Sequence, residues 1–250
     1  MVTDVVTMFG GSGFLGRRVV ARLVQQGGDV RIAVRHPERA GGLAQGGRAG
    51  QVTCIAADVW DEASVIDAIA GSAAVINCVG HYVEKSGASF DAIHGRGAEH
   101  VARQAKAAGV RRLVHISGIG ADSDSASPYV RARAKGERLV AEACARVLTD
   151  ETTAGQIYEL GGPDIYTYRD LLRLVLDRTG RWRPLIPVPF VIWNILAALA
   201  AVLPNPPVTR DQITLMGQDN VVTGEALAFE DLGIDPTAAA DVLPRYAGFI

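Results

Sequence analysis

The feature that most constrains this chain is a glycine turn set between a strand and a helix. Residues 4–9 are rich in apolar and β-branched side chains, and Gly10-Gly11-Ser12-Gly13-Phe14-Leu15-Gly16 follows directly. Residues 17–26 then place Val19, Val20, Leu23 and Val24 at helical spacing. Each glycine of this G-x-x-G-x-x-G run has a physical task. Gly10 permits the tight turn, Gly13 lets backbone approach a bound group, and Gly16 lets the new helix lie close on the strand. The helix start offers amides and a positive dipole end to an anionic group such as a diphosphate. A glycine pattern alone is a weak signal; its strand–turn–helix setting gives it weight.

The rest of the first half repeats the alternation. Strands are predicted over 29–34, 52–57, 73–79 and 111–117, with helices over 62–70 and 89–108 and a glycine-rich loop at 40–50. After a polar loop at 121–128 come a helix over 129–148 and a strand over 156–160. Thr167-x-x-Asp170 resembles a capping box that opens a helix with Leu171, Leu172, Val175 and Leu176 on one face. The pattern predicts an α/β fold: a Rossmann-type doubly wound parallel sheet in residues 1–148, with a small, mostly helical C-terminal region in 149–250. A chain of 250 residues, 48% hydrophobic, is large enough for that arrangement.

Charge and cysteine usage narrow the function. A net charge of -2 supplies no basic field for nucleic acid. Cys54, Cys78 and Cys144 show neither metal-ligand spacing nor a disulfide pattern, so no metal site is expected and a reducing compartment fits. The first strand begins so near Met1 that no presequence is expected. The expected location is cytoplasmic, with peripheral attachment to the cytoplasmic membrane face as an option. The stretch 185–204 carries no charge, but Pro187, Pro189 and Asn194 interrupt it. Only 190–203, from Phe190 to Leu203, reads as unbroken helix. A buried helix is the first expectation, a helix on a membrane surface or partner the second, and a span the last. The oligomeric state is not legible.

In doubly wound sheets the ligand lies across the C-terminal strand ends. An NAD-selective site carries a carboxylate at the end of the second strand; here Arg35 stands there, with His36 and Arg39 close by. A guanidinium grips a 2′-phosphate by two hydrogen bonds, so NADP(H) is favoured over NAD(H), with Arg17 and Arg18 adding charge. The plain alternative for Arg35 is a solvated strand-end cation. Asp58 would meet the adenine or merely cap its own loop. Cys78, Val79 and Gly80 would back the ribose or nicotinamide side. His81, Tyr82 and His94 are weaker candidates, because a lone histidine is more often structural.

The glycine turn, Ala57-Asp58-Val59, Asn77-Cys78-Val79-Gly80, His115-Ile116-Ser117 and Tyr129 together resemble the extended and atypical short-chain dehydrogenase/reductases. More narrowly, 10–16, 117–122, 129–137, 158–168 (YELGGPDIYTY) and 206–222 are similar to the nucleotide-binding accessory subunits of respiratory complex I and their bacterial relatives. The resemblance covers most of the chain. It implies cofactor contacts along 10–16 and at Arg35, Asp58, Val59, Cys78, Val79 and Gly80. It also implies a catalytic serine and tyrosine, Ser117 and Tyr129, and a lysine four residues after the tyrosine that binds the ribose and lowers the tyrosine pKa. Here that position is Arg133, which holds charge and hydrogen bonds but does not relay a proton as lysine does. The sixth parallel strand and the segment after it, usual in the family, have no counterpart between Tyr129 and Thr149. Their loss would expose a sheet edge. The resemblance therefore implies an NADP(H)-binding protein with a structural or assembly role on a membrane-associated respiratory complex that uses ubiquinone. The alternative is an active oxidoreductase, epimerase or dehydratase using Tyr129 and Ser117.

Overall fold

The computed structural model describes residues 5–40, 48–80, 89–119, 124–125, 155–201, 203, 206–232, 235–236 and 238–242. The chain divides into two compact units, Met1–Gly155 and Gln156–Ile250.

The first unit is built on five parallel strands: β1 (Val6–Phe9), β2 (Val30–Val34), β3 (Val52–Ala56), β4 (Ala74–Asn77) and β5 (Arg112–His115). Their order across the sheet is β3-β2-β1-β4-β5. Val6 pairs with Val30 on one side and Ala74 on the other, which puts β1 at the centre. Helix α1 (Phe14–Gln25) connects β1 to β2, α2 (Glu62–Ile69) connects β3 to β4, and α3 (Ala98–Ala107) precedes β5. Alternate residues of the central strands serve opposite faces. Met8, Val30 and Ile32 pack with Val20 and Val24 of α1. Phe9, Ala33 and Val75 pack with Val65 and Ile69 of α2 and Val101 of α3. Both faces are thus covered, as a parallel sheet requires, and the doubly wound α/β expectation holds.

Polar contacts fix the helix ends. Thr7, fully buried in β1, donates from Oγ1 to the Ala68 carbonyl at 3.0 Å. Arg31 donates to the carbonyls of Ala68 (2.8 Å) and Ala70 (2.7 Å), satisfying the C-terminus of α2. Gln51, 5% exposed, donates from Nε2 to the carbonyls of Val24 and Gly28, both at 3.0 Å, and so closes the C-terminus of α1. Between α2 and α3, Glu62 accepts hydrogen bonds from Arg103 (2.7 Å) and from Gln104.

Two element boundaries differ from the sequence reading. The helix expected from residue 17 begins at Phe14, so the glycine turn feeds straight into it. The helix expected over 89–108 is a π-helix at Asp91–Gly97 followed by α3. The reason is close packing: a Cβ on Gly97 would lie 2.8 Å from the Val59 side chain and 3.0 Å from the Ala92 carbonyl. The widened turn and the absent side chain together admit that contact.

In the second unit the strand expected over 156–160 is reduced to a single bridge, Tyr158 to Leu227. Gly161 and Gly162 cut the run short. Glu159 holds the facing segment instead, accepting from the Thr223 amide (2.6 Å) and hydroxyl (2.9 Å). Helix α4 (Tyr168–Thr179) is N-capped by Thr167, whose hydroxyl accepts from the Asp170 amide at 3.2 Å, and it ends at Gly180 with φ 64°. Helix α5 (Phe190–Ala200) follows, then α6 (Arg210–Met216) and α7 (Ala239–Val242). A full capping box opens α6: Thr209 accepts from the Gln212 amide (3.2 Å), and Gln212 accepts from the Thr209 amide (2.9 Å).

The expectation of a buried apolar helix is corrected. Ala197 is the one buried residue of α5. Val191 is 70% exposed and Leu199 68%. Apart from Asn194 the helix is apolar all round, and among the described elements it packs chiefly on the seven-residue α6, which is too short to cover it. Among the described residues no helix is long and apolar enough to cross a membrane.

Candidate dinucleotide site

The strand order reverses beside β1, since the chain winds outward from β1 to β3 on one side and then returns to β4 on the other. This is the switch point where the loops at the C-terminal strand ends leave a crevice. The glycine turn follows β1 there, and Cys78-Val79-Gly80 follows β4. The two are in direct contact: the Cys78 amide donates to the Phe9 carbonyl at 3.0 Å, and a Cβ on Gly10 would lie 2.6 Å from the Cys78 carbonyl oxygen. Gly10 also has φ 78°, a conformation that glycine adopts freely. A Cβ on Gly16 would strike the Gly10 carbonyl, so the helix sits on the turn itself. Gly11 is buried between strand and helix, where a Cβ would meet Ile32.

On the open side, Ser12, Gly13, Phe14 and Leu15 are exposed. Gly13 is the N-cap of α1, makes no side-chain cap, and is followed by no acidic residue in the first turn. First-turn amides have no intrahelical acceptor, and the first turn itself holds no carboxylate to compete for the positive end of the dipole. Arg17 donates to the Ser12 carbonyl at 2.7 Å, which braces the turn from the carbonyl side. Arg18 bonds the Phe14 carbonyl at 2.9 Å and stacks 4.0 Å from the Phe14 ring. These two arginines are thus spent on the turn, not left as loose charge.

Arg35, directly after β2, is exposed and has no hydrogen bond or ion pair among the described residues. His36 pairs with Glu38 at 3.2 Å. Asp58, after β3, is half-buried, and its Oδ1 accepts from the Trp60 amide at 3.1 Å. That is the turn-capping use the sequence allowed; Oδ2 has no partner among the described residues. The Val59 side chain belongs to the core, and its carbonyl contacts Nδ1 of His100 at 3.0 Å. Cys78 is half-buried, and Val79 packs partly on the core. Gly80 is exposed.

Ser117 follows β5, where the Ile116 amide donates to the Asn77 carbonyl at 2.9 Å and ties this strand end to β4. The Ser117 hydroxyl oxygen is buried without a hydrogen-bond partner among the described residues. Tyr129 and Arg133 lie outside the described residues, as do His81 and Tyr82. His94 is 4% exposed in the π-helix, its ring 6.4 Å from that of Phe90, a core placement. Asn77 was legible only as part of a motif. It is 3% exposed, and its Oδ1 accepts from the Val79 amide at 3.2 Å, setting the path of the chain past Gly10. A polar residue ending an apolar strand was its only sequence signal. Among the described residues no group of acidic, histidine and cysteine side chains is placed to hold a metal.

A doubly wound parallel sheet with an uncapped glycine turn at its switch point defines a Rossmann-type dinucleotide-binding protein. A family described as NAD(P)H-binding matches residues 10–154, more than half of the chain, and this protein belongs to it. Among curated relatives, it is 28% identical to NADH dehydrogenase (ubiquinone) 1 alpha subcomplex subunit 9, mitochondrial, of Arabidopsis thaliana, covering 93% of this chain and 74% of that protein. It is 27% identical to the NADH-ubiquinone oxidoreductase 40 kDa subunit, mitochondrial, of Neurospora crassa, covering 96% of this chain and 78% of that protein. These alignments run over 298 and 294 residues, more than the 250 of this chain, so the relatives carry internal residues without counterpart here. Among solved structures, the NADPH-dependent quinone oxidoreductase of Escherichia coli, complexed with NADPH, superposes with a TM-score of 0.65 at 18% identity. The match covers 96% of this chain and 99% of that one, and shows a shared fold.

Proposed function

We propose that this protein binds NADP(H) in preference to NAD(H) and holds it as a structural component of a membrane-associated respiratory assembly. The observation that carries the cofactor reading is the turn itself: exposed Gly13, an N-terminus with no cap and no acid, and a β4 loop packed against Gly10. The residues present fit the group. The amides of the turn would hold the diphosphate, Arg35 the 2′-phosphate, Asp58 the adenosine end, and Val79 and Gly80 the ribose on the nicotinamide side. Bound NADP(H) supplies a hydride donor or acceptor.

Three observations support an accessory role. The similarity to subunits of NADH dehydrogenases extends over nearly the whole chain. Arg133 stands where the resemblance expects a proton-relaying lysine. The extra internal residues of the relatives accord with the family segment that has no counterpart between Tyr129 and Thr149 of this sequence. A second reading, retained reductase activity, is supported by the Ser117 hydroxyl, which is buried without a hydrogen-bond partner among the described residues at the residue the family resemblance assigns to orienting the substrate. In that reading Ser117 orients the substrate oxygen, Tyr129 exchanges a proton with it, and Arg133 holds the ribose and the tyrosinate charge.

The test is nucleotide analysis of the purified protein with binding titrations. NADPH should bind more tightly than NADH. Arg35→Ala removes a charge-assisted pair worth about 1.5–3 kcal/mol, so NADPH should weaken roughly 10- to 150-fold while NADH is unaffected. Equal loss for both nucleotides would overturn the assignment of Arg35. NADPH oxidation by quinones or carbonyls that is abolished by Tyr129→Phe would overturn the structural role and establish the second reading.

A further inference from the structure

We propose that the second unit seats on the surface of an anionic phospholipid bilayer, with α5 in the interfacial layer and the arginines before it on the lipid phosphates. The inference goes beyond the nucleotide reading and does not depend on it.

Three observations within this unit converge. The first is uncovered apolar surface. Trp182 is 83% exposed, Ile186 75% and Phe190 50%, and the exposed face of α5 continues it. Such a patch on a water-soluble unit marks an interaction surface. The second is charge. Between Asp177 and Asp211 the sequence contains no acidic residue, yet it carries Arg178, Arg181, Arg183 and Arg210. All four are exposed, in a chain whose net charge is negative. The third is a groove of about 270 Å³ whose lining includes Arg173, Asp177, Arg181, Trp182, Arg183 and Leu185. It offers guanidinium forks and an indole where the chain turns from polar to apolar.

The charge pattern selects the occupant. A second copy in a two-fold contact would set the same patch against itself and bring Arg178, Arg181, Arg183 and Arg210 of each copy together with only Asp177, at the groove, to offset them. A bilayer with anionic headgroups satisfies both halves: phosphates for the guanidinium groups and hydrocarbon for α5. Two of the three tryptophans, Trp182 and Trp193, stand in this segment, and an indole suits the boundary between headgroup and tail. Geometry excludes a span by this helix. Its 11 residues reach about 16 Å, against about 30 Å of hydrocarbon.

Flotation of the full chain with vesicles of phosphatidylcholine, alone or mixed with phosphatidylglycerol, tests this. Binding is expected to the mixed vesicles, to fall with added salt, and to be weak on phosphatidylcholine alone. Each arginine at the surface contributes about fivefold, so Arg181→Gln with Arg183→Gln should weaken partitioning roughly 25-fold. Val191→Asp with Leu199→Asp should abolish it. Circular dichroism and the thermal melt should be unchanged in both variants, since all four side chains are exposed. Absence of binding to the mixed vesicles, or binding indifferent to both double substitutions, would overturn the proposal. So would a dimer in light scattering that Val191→Asp with Leu199→Asp dissolves while no vesicle is bound.

Discussion

Replacing Gly13 by alanine should separate nucleotide binding from folding. Gly13 has φ -73° and ψ 175°, open to any residue, and the nearest atom to a new Cβ is the Gly10 carbonyl oxygen at 3.3 Å. The substitution should therefore change stability by no more than about 1 kcal/mol, the size of a tolerated glycine-to-alanine change. The methyl group nevertheless stands on the exposed side of the turn, where the diphosphate must approach backbone. For the unaltered protein, NADPH at a hundredfold excess over Kd should stabilise by about 2.7 kcal/mol. At roughly 2–4 °C per kcal/mol for a unit of this size, that raises Tm by about 5–11 °C. Gly13→Ala should melt near the unaltered protein without ligand and lose most of that rise. Gly10→Ala should behave differently. Its φ of 78° costs an L-residue about 1–2 kcal/mol. Its Cβ would sit 2.6 Å from the Cys78 carbonyl oxygen, adding about 1–3 kcal/mol of overpacking. Its Tm should fall by about 4–20 °C with or without nucleotide. Differential scanning fluorimetry reads both. A Gly13→Ala protein that keeps the whole NADPH-induced rise would refute the placement of the diphosphate on this turn. A Gly10→Ala protein that melts normally would refute the described contact with β4.

Two further outcomes test the scaffold. Thr209→Ala removes half of the α6 capping box and should cost about 1 kcal/mol of local stability, read as faster amide exchange in Arg210–Met216, whereas Thr209→Ser should restore protection. The Glu62 carboxyl is held below the ordinary carboxylate range, first by the Arg103 hydrogen bond and then by that of Gln104. Its contribution is complete above the ordinary carboxylate pKa of about 4.3 and is lost as pH falls through the lower folded value. Arg103→Met should lower Tm at neutral pH and low salt, and the difference should narrow as pH falls below the ordinary carboxylate range; a difference that does not change with pH would refute the pairing.

What was legible in the sequence divides by the range of the forces involved. The parallel sheet was readable because alternating strands and helices state local preference and burial together, and all five strands lie within their expected spans. The dinucleotide turn was readable because the left-handed backbone of Gly10 and the contact of Gly16 with Gly10 are both local to the turn. Arg35 stood out by its place after β2. The α5 error has a different origin. Periodicity says that 190–203 is helical and apolar, but whether such a helix is covered depends on which neighbours reach it, and only Ala197 finds cover. The π-helix was hidden for a similar reason: its widened turn answers to Val59, which lies more than thirty residues earlier. Asp58 and Val59 show how a family motif can mix roles, since one caps a turn and the other fills the core. The readings placed on Tyr129 and Arg133 fall outside the described residues and rest on sequence alone.

Gln51 anchors the far end of the helix that the glycine turn opens. By closing the far end of α1 onto Val24 and Gly28 while Gly16 is pressed on Gly10 at the near end, the fold leaves this helix no slack along its axis. For the proposed diphosphate site, a turn held in this way would meet its ligand already ordered, which lowers the ordering cost of binding.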